Sequence, residues 1–140
     1  MNLKRVKPDF HQINPWLKQA KKDLITAEKN LEIDPHWSLV IAYQIMLKVG
    51  LSLMFSFGVK PTGLGQHKTV VEYSSNKLGR QFTDIANQFE RLRRKRHDFF
   101  YGHLIGISLT EAQMAIKAAK IMLFQVNKIV AGRNPQRKLL

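Results

Sequence analysis

The stretch WSLVIAYQIMLKVGLSLMFSF, Trp37 to Phe57, decides how this chain folds. It is long enough to cross a bilayer, which takes about 20 apolar residues. Lys48 sits near its middle, however, where a charge costs roughly 2.5–3.5 kcal/mol in lipid. Gln44, Ser52 and Ser56 add further polarity. A helix enclosed on most sides by other helices suits this composition better, because neighbours can pair with the polar groups while the hydrocarbon stays dry. The segment from about His36 to Phe57 is therefore expected at the centre of a helical bundle rather than in a membrane.

The flanking sequence divides into helix-length pieces. Upstream, Asn14-Pro15 reads as an N-cap followed by proline at the first helical position. Leu17, Ala20, Leu24, Ala27 and Leu31 then recur at intervals of three and four, forming one stripe. Asp34-Pro35 closes this first helix, since proline pushes its predecessor out of the helical region.

Downstream lies the loop GVKPTGLGQ (58–66), whose Gly58 and Gly63 suggest a phosphate-binding loop. Leu64 and Gly65 stand where such a loop needs Lys and Ser/Thr, so it reads as a connector. A short helix is predicted over His67–Leu78, with Gly79 closing it. A longer one follows over about Gln81–Tyr101, its face set by Phe82, Ile85, Phe89 and Leu92. The last helix opens on Ser108-Leu-Thr-Glu111, a capping box, and ends at Gly132. No segment reads as a strand. The expected fold is all-α: an antiparallel up-down bundle of four long helices plus a short one.

Length and composition agree. The 140 residues suit one domain, and 44% hydrophobic with 24% charged residues is the balance of a folded chain. The expected division is a basic N-terminal arm (1–13), the bundle (14–132) and a basic tail (133–140). Cysteine is absent, which excludes disulfides and thiolate metal sites and suits a reducing compartment. The opening MNLKRVKPDF lacks the apolar run of a signal peptide, so a cytoplasmic location is expected. The net charge of +13, from 23 Lys+Arg against 10 Asp+Glu, points to a polyanionic partner, with RNA the foremost candidate. Charge kept for solubility alone is the plainer alternative.

One segment breaks its own pattern. Continuing the rhythm of the fourth helix past Leu92 places Arg96, Phe99 and His103 on the seam, a guanidinium and an imidazole where apolar groups are expected. Unpaired charge is costly to bury, so such residues need partners or a ligand. Seven residues of helix rise about 10 Å, so the pair would share a face within reach of an arginine side chain. Gly102 leaves the direction of His103 open, and both residues facing water is the other reading.

The stretch Arg96-His97-Asp98-Phe99-Phe100-Tyr101-Gly102-His103 resembles the R-x(4–6)-H signature of the HEPN family, with six residues between Arg and His and the polar His97 after the arginine. Its setting is similar too: a hydrophobic helix bearing Trp37 and Tyr43, a loop leading to His67, the motif, then a capped amphipathic helix. The likeness covers about Asn14 to Val130. It implies a bundle that dimerises and, in active members, cuts RNA without metal. Some members are toxins paired with a nucleotidyltransferase antitoxin; others are inactive binding modules. The toxins often carry a tyrosine soon after the histidine, whereas here Leu104 and Ile105 follow and Tyr101 precedes.

RNA cleavage needs a base for the 2′-hydroxyl, an acid for the leaving 5′-oxygen and positive charge on the transition state. On this reading Arg96 clamps the phosphate, His103 transfers protons and His97 assists. Arg91, Arg93, Arg94 and Lys95 would track a single strand, and Tyr101, with Phe99 and Phe100, would stack bases. A solvated helix face for the cations and core or dimer packing for the aromatics are the alternatives. No cofactor and no metal is expected, because His11, His36 and His67 stand isolated and HExxH-type spacing is absent. The expected partners are RNA, a second copy of the chain and a nucleotidyltransferase antitoxin. A non-catalytic RNA- or protein-binding module is the competing function.

Overall fold

A computed structural model describes residues 1–101 and 106–135, without the side chains of 99–101. Five helices make up the bundle: α1 (Phe10–Asn30), α2 (Pro35–Ser56), α3 (Gln66–Leu78), α4 (Thr83–Tyr101) and α5 (Leu109–Arg133). Four are long and α3 is short, joined by brief connections into the antiparallel all-α bundle that the sequence predicts.

α2 is the axis of the molecule and packs against α1, α3, α4 and α5. It starts where Asp34 accepts a hydrogen bond from the Trp37 backbone and Pro35 supplies a preset helical φ. By length and composition it passes for a membrane span, yet its neighbours bury most of it. Its serines and its lysine are each answered, and Gln44 faces solvent. Ser38 Oγ donates to Ala27 O (2.7 Å), Ser52 Oγ to Lys48 O (2.9 Å) and Ser56 Oγ to Leu53 O (2.7 Å). Lys48 Nζ reaches Asp23 of α1 at 2.9 Å. On α5 the small residues Ala112, Ala115, Ala118 and Ala119 are all buried, letting that helix lie close to the axis. Gly50 does the same for α3: a Cβ there would stand 2.5 Å from Val70 Cγ1 and 2.9 Å from Ser74 Oγ.

Three local expectations are corrected. First, α1 begins at Phe10, not Asn14. Asp9 caps it by accepting from His11 N (3.1 Å), and Pro15 lies inside the helix. Burying Ile13 and packing Phe10 and Trp16 on the core outweighs the backbone hydrogen bond that Pro15 cannot make.

Second, strands are present. Leu3–Arg5 (β1) pairs antiparallel with Val59–Pro61 (β2), Lys4 opposite Lys60. Gly58, at φ +76, turns the chain into β2 and donates no side chain, which matters because a Cβ would meet Val6 O at 3.1 Å. Three-residue strands rich in lysine and arginine show no alternation for a sequence reading to detect.

Third, α5 runs past Gly132. Arg133 holds its end by donating from Nε to Ser56 O (2.9 Å) and stacking its guanidinium over Phe57 (3.8 Å to the ring centroid).

Candidate active site

The basic run of α4 sits where its helix has only one apolar side. Phe89 and Leu92 are buried in the core, and the residues between them and those from 93 to 98 face outward or lie at the rim. Arg96, expected on the seam, is exposed, as are Arg91, Arg94 and His97; Arg93, Lys95 and Asp98 are half-buried.

Three of these cations are held by carboxylates. Arg93 donates to both oxygens of Glu90, from Nε at 3.0 Å and Nη2 at 2.7 Å, while Arg94 Nε donates to Oε1 at 2.9 Å. This double clamp draws the Glu90 carboxyl down to about 2, the Arg93 hydrogen bonds contributing most, and in turn raises the Arg93 pKa. Lys95 Nζ lies 3.9 Å from Glu111 of α5. Glu111 also donates its backbone N–H to Ser108 Oγ (3.1 Å), the cap read from the sequence. His103 lies outside the described residues, as do Gly102, Leu104, Ile105 and the side chain of Tyr101.

Beside Arg93 and Arg96 the structure assembles a group that spacing did not reveal. Tyr43 of α2 and His67 of α3 meet, Oη to Nδ1 at 2.9 Å, with their rings 5.9 Å apart at 50°. Phe89 closes the other side of Tyr43 in an edge-on contact, 6.0 Å between centroids. Burial raises the Tyr43 pKa to about 12 against the opposing charges of Arg96 and Arg93, so the phenol keeps its proton. Burial also lowers the His67 pKa, and the same two guanidinium charges lower it further, which favours the neutral imidazole.

His67, isolated in the sequence, is thus the histidine that the bundle ties to the arginine run. Its tie to Tyr43 spans 24 residues and two helices, beyond any periodicity. The only local hint is its place in the first turn of α3, directly after the Gly65 turn. Elsewhere, no group of three or more His, Cys, Asp or Glu among the described residues is placed to hold a metal ion.

The family model of the HEPN domain matches residues 13–129, most of the chain. The chain belongs to the HEPN family. No curated protein and no solved structure matches it. In this HEPN domain the matched region runs from the buried Ile13 of α1 to Ile129 of α5. It takes in all of α2, α3 and α4, and so both the arginine run and the Tyr43–His67 pair.

Proposed function

We propose that this HEPN domain is a metal-independent endoribonuclease that cuts single-stranded RNA through Arg96 and His103. The observation that carries the reading is an exposed arginine at position 96, within the stretch that resembles the family's motif, whose charge bears on the half-buried His67 and the buried Tyr43. A guanidinium so placed matches two phosphate oxygens with its planar fork and stays charged at any working pH. His103 would move the protons of the reaction and His97 would assist. Arg91, with Arg93, Arg94 and Lys95, would guide the strand once phosphates compete for the cations now held by Glu90 and Glu111; Tyr101 would stack a base. A two-fold dimer would bring two motifs across one cleft. A cytoplasmic setting and a nucleotidyltransferase antitoxin complete the reading as the toxin half of a two-gene or defence system.

The test is cleavage of a fluorescent single-stranded RNA by the purified chain in excess chelator. Cleavage is expected for the wild type and its loss for Arg96→Ala and for His103→Ala, with unchanged circular dichroism. Salt-sensitive RNA binding without any cutting would instead identify a non-catalytic RNA-binding module. Full activity in either variant would overturn the assignment.

A further inference from the structure

We propose that the groove between α1 and α5 is a docking site for an acidic amphipathic helix of a partner protein. No residue of α4 lines this groove, and its role does not depend on the ribonuclease reading.

Packing creates the groove. α5 turns its alanines toward the core and meets α1 on another side, where the two helices leave a trough of about 500 Å³. The half-buried Leu24 of α1 and the buried Leu123 of α5 form its apolar floor. Phe124 stands beside them 63% exposed. A large ring left in water among polar neighbours marks an interaction surface. Lys21, Lys120 and Lys128 are exposed at the rim, and Lys128 Nζ lies 4.6 Å from the centre of the Phe124 ring.

The charge of the rim identifies the occupant. Among the described residues, none of these three lysines pairs with a carboxylate. α5 carries no acid after Glu111, which lies toward Lys95 of α4. On α1, Asp23 is taken by Lys48 at 2.9 Å, and Glu28 does not line the groove. The complement is therefore a segment with an apolar face and carboxylates on its flanks. Lys120 and Lys128 are about 12 Å apart along the helix axis, and carboxylates two turns apart on a partner helix, about 11 Å, match that interval. Apolar residues three and four positions apart would then meet Phe124 and Leu123. This chain cannot supply such a helix to a second copy, because each of its five helices has more Lys and Arg than Asp and Glu. A nucleic-acid strand fits less well: Phe124 is a lone ring with aliphatic neighbours, which gives successive bases nothing to stack on.

The test uses the purified full chain and a fluorescent synthetic peptide of about 18 residues, long enough to hold a helix, with Leu and Ala on one face and Glu on both flanks. Anisotropy should show saturable binding that weakens as salt rises. The peptide should bind about tenfold tighter than its counterpart with Gln in place of Glu. Phe124→Ser, at an exposed position, should weaken binding by about 10- to 100-fold with unchanged circular dichroism. Lys120→Glu combined with Lys128→Glu should abolish it. Lys4→Glu combined with Lys60→Glu, the same change of charge on the β1–β2 pair, should leave affinity within about twofold. Amide shifts on binding should gather at 21–24 and 120–131. Absence of binding would overturn the proposal, as would affinity that ignores Phe124→Ser or falls equally with both charge reversals. If single-stranded oligouridine displaces the peptide and loses affinity in Phe124→Ser, the groove takes RNA and the proposal is wrong. If Phe124→Ser instead dissolves a dimer seen by sedimentation, the occupant is a second copy and the proposal is equally wrong.

Discussion

Glu90 governs how the arginines of α4 are offered to a ligand. Its carboxylate accepts from Arg93 twice and from Arg94 once, which fixes two guanidinium planes against the helix. The carboxyl titrates at about 2 rather than 4.5, so the folded state favours its ionised form. A depressed folded pKa contributes stability that is fully present above the unfolded value and lost as pH falls through the folded one. Glu90→Gln should therefore lower stability near pH 7 by roughly 1 kcal/mol, a modest figure because the side chain is 30% exposed and solvent screens the pair. The difference between wild type and variant should fade as pH drops from about 4.5 to about 2. Urea unfolding across that range measures it, and a difference as large at pH 2 as at pH 7 would place the stabilisation elsewhere. The same substitution frees two cations and should tighten RNA binding.

Among the elements, α2 packs against every other helix, and its close crossing with α3 is the sensitive joint. Alanine is favoured over glycine within a helix by about 1 kcal/mol. At Gly50 that gain is overtaken, because the added carbon would press on the buried Val70 and Ser74. Gly50→Ala should lower stability by about 1–2 kcal/mol through overpacking and shift His67 away from Tyr43. Gly132→Ala on α5, where nothing lies within 4 Å of an added Cβ, is the control and should be neutral or slightly stabilising. Denaturant midpoints read both signs; a stabilised Gly50→Ala would mean that α3 can give way. The pairing of Lys48 with Asp23 explains how a lysine survives in the most apolar helix. Its ammonium passes from α2 to the rim of α1 instead of into the core.

At the scale of the whole molecule, an excess of 13 positive charges on 140 residues would make the proposed association with RNA a counterion-release process. About four phosphate contacts on a single strand give a log–log salt slope near −2.8, an affinity loss of about 50-fold between 50 and 200 mM salt. Fluorescence anisotropy should return that slope, and Arg91→Ala should reduce its magnitude by about 0.7; a salt-independent affinity would exclude the backbone contact proposed for this run. The bundle itself was written in the sequence. The three-four spacing of apolar residues, the Asp34-Pro35 and Gly79 breaks and the Ser108 cap each act within a turn or two of helix, so local chemistry alone defines α2 to α5 and their order. The resemblance of Arg96 to His103 to the family's motif was equally legible, because the run is short and contiguous. What spacing could not disclose was pairing between distant segments. β1 meets β2 across more than fifty residues, Phe10 and Ile13 draw α1 past its apparent start, and Tyr43 meets His67 across two packed helices. Those contacts depend on how packed surfaces fit together, a property that no single segment carries.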